Sequence, residues 1–71
     1  MIDLNHVREI VECITGAADE LLDKGKDNLN FVEQGQLIAY AESLCIIRDA
    51  LEGYDLQEVS LDFDIDTRYL S

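Results

Sequence analysis

Between Leu4 and Leu21 the apolar positions fall in steps of three and four: Leu4, Val7, Val11, Ile14, Ala18 and Leu21. That spacing returns to one side of a helix at every turn, and it predicts an amphipathic helix over about residues 4–24. Ile10, Ala17 and Leu22 broaden the seam, while Arg8, Glu9, Glu12, Asp19, Glu20 and Asp23 stay off its centre. Asp3 or Asn5 can cap the start, and Gly25 suits the left-handed backbone position just past the end. Lys24 and Lys26 bracket that end, where positive charge complements the helix dipole. Gly16 stands in the interior. It marks either a close approach by another helix or a tolerated local weakness of about 1 kcal/mol relative to Ala.

Asp27, Asn28 and Leu29 supply a turn, and Asn30 with Glu33 three residues later has the spacing of a capping box. A second helix is predicted over about residues 31–52, stopped by Gly53. Its centre, Leu37–Leu51, has eleven apolar residues in fifteen. Leu37, Tyr40, Ala41, Leu44, Ile47 and Leu51 form one broad stripe, which Ile38 and Cys45 widen. Ala39, Ile46 and Ala50 lie near the opposite side. A helix apolar over most of its circumference is covered on more than one side. The short connection makes the two helices an antiparallel hairpin, so the first can cover only one side of the second.

Beyond Tyr54 the pattern changes. Asp55 and Glu58 have a second capping spacing and predict one helical turn, Leu56 to Val59. Leu61-Asp62-Phe63-Asp64-Ile65-Asp66 then alternates strictly, which puts Leu61, Phe63 and Ile65 on one side of an extended segment and three aspartates on the other. The segment is expected to lie over the helices, with a short β-pairing or a mobile tail as alternatives. The fold class that follows is all-α, with one domain over 1–71. It comprises a hairpin, a short C-terminal helical turn and an extended tail over 54–71.

At this length a single core is marginal, and small domains close the gap with disulfides, a metal or association. Cys13 and Cys45 are far apart, His6 is the only histidine, and there is no CxxC or Cys/His spacing of a zinc site. The default for both cysteines is reduced and buried. Association remains, and the prediction is a homodimer in which two hairpins form a four-helix bundle. Its contact positions are expected at Ile38, Cys45, Ile46 and Ala50 on the second helix and at Leu61, Phe63 and Ile65 in the tail. Arg48 is the one charge inside the stripe. It is read as a snorkelling side chain or as the partner of Glu12, Glu52 or a tail aspartate.

Sixteen acids against five bases give a net charge of −11. Phosphate backbones and anionic membranes repel such a molecule, so no direct nucleic-acid or membrane binding is expected. MIDLNHVREI lacks a basic region and an apolar run, so no signal peptide is expected and the location is read as cytoplasmic. Catalysis has no candidate. His6 has no oriented partner, Ser43 and Ser60 have no base, and neither cysteine has the basic surroundings of an activated thiolate. Asp62, Asp64 and Asp66 match three positions of a calcium loop, but Thr67 stands where that loop needs Gly. No cofactor and no metal is therefore expected. The ending YDLQEVSLDFDI on an acidic hairpin resembles small bacterial proteins, a likeness that carries no functional residue with it.

The leading expectation is a small acidic interaction or regulatory module that acts as a homodimer on another, unidentified protein. The alternative is an acidic mimic of nucleic acid occupying the basic site of a DNA- or RNA-binding protein, resting on five acids and no base between Asp55 and Asp66.

Overall fold

The computed structural model describes residues 3–70. Two helices, α1 (Leu4–Asp23) and α2 (Phe31–Ala50), pack against each other as the hairpin the pattern predicts. The caps are those legible in the sequence. Asp3 accepts from the Asn5 backbone N–H, which chooses between the two candidates for α1. At α2 the capping box is complete: the Asn30 side chain accepts from Glu33 N at 2.8 Å, and Glu33 Oε1 accepts from Asn30 N at 3.2 Å. Gly25 and Gly53 both have positive φ, 86° and 91°, a region open to Gly without steric cost. Lys24 also reaches across the turn to pair with Glu33, tying the two helix ends together.

Leu29 was expected only as part of the turn. It points inward and is buried, after a single 3₁₀ turn over Lys26–Asn28. The turn Leu56–Val59 forms as expected, in 3₁₀ geometry, with Asp55 accepting from Gln57 N. Ser60 follows in the left-handed conformation (φ 60°) and redirects the chain.

The tail departs from the extended reading. Leu61 to Asp64 has no regular structure, and no strand forms among the described residues. The chain then winds into a π-helical turn, Asp66–Leu70. Asp64 starts this turn, because its carboxylate accepts from Thr67 N at 3.2 Å and Arg68 N donates to its carbonyl at 3.1 Å. The first turn of the tail packs on α1 and the last on α2, so the tail straps both helices.

The core is therefore three-sided. Its largest fully buried side chains are Tyr69, Leu44, Leu61, Ile65, Val11 and Val59, and four of these six belong to the tail. The molecule is elongated, 41 × 19 × 16 Å. Among the described residues no helix is long and apolar enough to cross a membrane.

Candidate interaction surface

The sequence assigns contact positions to two regions, and the packing separates them. Leu61 and Ile65 are taken up by the chain's own core, and Phe63 is half-buried at its edge. Alternation placed them on one side correctly as a pattern, but the surface they meet is α1 and α2 of the same chain. Phe63 also makes an edge-to-face contact with Tyr69, with centroids 6.1 Å apart, and lies under the Arg68 guanidinium at 4.9 Å. Arg68 and Tyr69 in turn clasp α1. Arg68 Nη2 lies 3.1 and 3.0 Å from the two Asp19 carboxylate oxygens, and the Tyr69 hydroxyl donates to the same carboxylate at 3.1 Å. Burial, reinforced by the Asp19 hydrogen bond and charge, pushes the Tyr69 phenol up to about 12.

On α2 the four apolar positions divide. Cys45 is half-buried against the core. Ile38 is 48% exposed and borders an open groove of about 300 Å³ that Leu29, Leu37, Tyr69 and Leu70 also line. Phe31, seven residues before Ile38 and on the same side, is 91% exposed. Ile46 (68% exposed) and Ala50 lie on a different face, one that the tail leaves bare. Arg48 is half-exposed. Its Nε lies 3.4 Å from Asp49, its neighbour in sequence, and among the described residues no ion pair joins it to Glu12 or Glu52. Among the described residues no ion pair joins it to a tail aspartate either, although its charge contributes weakly to lowering the Asp64 carboxyl below the usual range. The larger causes there are hydrogen bonds from Thr67. A further depression of about 440 Å³ joins Arg48 and Asp49 to Glu52, Tyr54 and Leu56, with charges of both signs and no convergent set of polar groups.

The bare face is the feature the sequence reading only half located. At about 100° per residue, Val32, Ala39, Ile46 and Ala50 share one side of α2, with Gly35 at its border. Beside them, across the hairpin, Val7 and Ile10 of α1 meet Ile47, Ala50 and Leu51 around an open apolar depression of about 360 Å³. Ile10 and Val32 are 54% and 70% exposed. Their signal was present: Ile10 widened the α1 seam, and Val32 precedes Ala39 and Ile46 by whole heptads.

Charge avoids this face. The acids within α1 (Glu9, Glu12, Asp19, Glu20 and Asp23) cluster on one sector of that helix, with Glu9 sharing a depression with Ile10 at its margin, and no acid of α2 falls between Gly35 and Ile47 around the helix. Glu42 stands at its far edge.

The remaining candidates stay apart. His6 is exposed, with Nδ1 3.1 Å from Asp3. Cys13 and Cys45 are free thiols. Cys13 is exposed, contrary to the expected burial, because it sits on the flank of α1 that neither α2 nor the tail covers. Asp62, Asp64 and Asp66 are exposed, and among the described residues no three His, Cys, Asp or Glu side chains come together as a metal-holding group. Comparison with family models, with curated proteins and with solved structures gave no match.

Proposed function

We propose that this chain is a non-catalytic interaction module that works by docking the bare face of its hairpin, first of all in a homodimer. One observation carries the reading. In a molecule of net charge −11, the exposed side chains Val32 and Ile46 share with Ala39 and Ala50 one side of α2 that holds no acid, and Ala50 continues it into the apolar depression beside Ile10. Scattered apolar residues on a surface need no explanation, but an acid-free apolar stripe along one side of a helix supports an association site. Two hairpins joined this way make the four-helix bundle expected from the marginal size of a single core. A dimer of this kind would present two copies of each acidic surface to a further protein.

The test is size-exclusion chromatography with light scattering on the native chain and on Ile10→Glu and Ile46→Glu. Both positions are exposed, so neither substitution disturbs the core. The reading expects a dimer at micromolar concentration that each variant dissociates. A native chain that runs as a folded monomer at every concentration overturns it.

A second reading, the acidic mimic of nucleic acid, is supported by Asp55, Glu58, Asp62, Asp64 and Asp66, all of them exposed along the tail. It requires a basic partner whose binding weakens as salt rises and competes with DNA or RNA. Complexes that do not respond to salt would remove it.

A further inference from the structure

Most of the tail is locked into the core, but its last turn is held differently. Val59, Leu61 and Ile65 are fully buried. Past Ile65, the side chains of Asp66, Thr67, Arg68 and Leu70 are exposed, and Tyr69 alone enters the interior. The turn is π-helical, a geometry that rarely stands outside a longer α-helix. It lies on α2, while its polar tie reaches the other helix: Asp19 of α1 holds the Arg68 guanidinium and the Tyr69 hydroxyl together. Both side chains of that ion pair are well exposed, 45% for Arg68 and 41% for Asp19, and an exposed pair holds weakly. The buried ring and the surface carboxylate therefore carry the closed position. Against them stands the backbone freedom that five residues regain on release, and chain ends with few buried contacts open at lower cost than a core does.

What the turn covers gives its opening a consequence. Tyr69 and Leu70 help to wall the open groove of about 300 Å³ that Leu29, Leu37 and Ile38 also line, and Leu29 and Leu37 are buried while the turn is in place. We infer that Asp66–Leu70 is a latch that opens about Ile65 while the rest of the core stays closed, releasing Asp19 and uncovering Leu29 and Leu37 in the groove beside Ile38. Asp19 is the catch, because one carboxylate serves both side chains and its loss frees both at once. The latch belongs to the single chain and does not depend on the dimer proposed above.

Native-state hydrogen exchange on the full chain, followed at a series of low urea concentrations, tests this. The Arg68 amide, which donates to the Asp64 carbonyl, reports the latch, and the amide of Leu44, buried in the middle of α2, reports the core. A local opening exposes little surface, so Arg68 should exchange faster than Leu44 and with a much smaller dependence on urea. Asp19→Ala should speed exchange at Arg68 by about tenfold, as expected for hydrogen bonds to a charged group. Glu20→Ala removes the same charge from the neighbouring exposed position, outside the clasp, and should leave the rate within about twofold. Arg68 and Leu44 amides that exchange with the same free energy and the same urea dependence would overturn the latch, because the turn would then open only with the whole core. An Asp19→Ala chain with the native rate at Arg68 would overturn it too, because Asp19 would not be the catch.

Discussion

Asp19 is where the end of the chain is fastened to its beginning, since one carboxylate receives both the Arg68 guanidinium and the Tyr69 hydroxyl. The ring of Tyr69 is buried and only its hydroxyl reaches the rim, so the neutral phenol is the form the fold favours. Its folded pKa, raised from 10.0 to about 12, contributes stability that is fully present below pH 10 and is lost as pH rises towards 12. Urea unfolding at a series of alkaline pH values should show this loss, and Tyr69→Phe should abolish its pH dependence. At neutral pH Tyr69→Phe gives up one hydrogen bond, about 1 kcal/mol, whereas Tyr69→Ala also empties the core and should cost about 3–5 kcal/mol. Glu33 works at the other end of the scale. Hydrogen bonds from Lys24 and the Asn30 backbone hold its carboxyl below the ordinary 4.5, so its contribution is present above that pH and is lost as pH falls through the lowered value. Asn30→Ala, which opens the same capping box, should lower stability by about 1 kcal/mol in urea melts. The capping box was legible because its two residues sit at a fixed spacing. Tyr69 was not, because its role depends on a turn set by Asp64 and on an acid fifty residues away.

Among the elements, the hairpin was readable from periodicity alone, with Asn30 and Gly25 at the ends where the pattern put them, while α2 stops at Ala50, short of the expected Glu52 and Gly53. Twenty-residue repeats of three and four leave no other regular structure that keeps the apolar groups together. The tail was harder. Six alternating residues fix which side chains share a side, but they do not fix what that side meets. Ser60 adopts a left-handed conformation that a serine does not advertise, and it turns Leu61 and Ile65 inward. A closer clue was available: Asp64 with Thr67 has capping spacing, and Ile65 with Tyr69 is four apart, as one helical face requires. Because the tail provides Val59, Leu61, Ile65 and Tyr69, it is a wall of the core and not an appendage. Truncation after Gly53 should therefore leave helical segments without cooperative thermal unfolding, as followed by circular dichroism. A truncated hairpin that melted as sharply as the full chain would contradict the three-sided core.

Taken as a whole, the molecule exposes 4803 Å², where a compact chain of this mass would expose about 4,450 Å². The excess reflects an elongated shape in which the tail closes one side of the hairpin and leaves the other open. The sequence indicated that α2 had more apolar surface than α1 could cover. It distributed that surface between Ile38, Cys45, Ile46 and Ala50 without distinguishing them, because a helical wheel does not say where a third segment will settle. Once the tail is placed, Cys45 belongs to the core's margin and Ile38 to a groove beside Leu70, while Ile46 and Ala50 remain with Val32 on the acid-free side of α2, which Ala50 continues towards Ile10. Salt distinguishes an association of this type. Screening weakens the repulsion between two anionic copies, so a contact through an acid-free face tightens as ionic strength rises, whereas binding to a basic partner loosens. The most direct measurement is sedimentation equilibrium of the native chain at micromolar concentration across a salt series. The account predicts a particle of twice the 8.0 kDa chain mass, with a dissociation constant that falls as salt is added. A folded particle of single-chain mass at every concentration and every salt would contradict it.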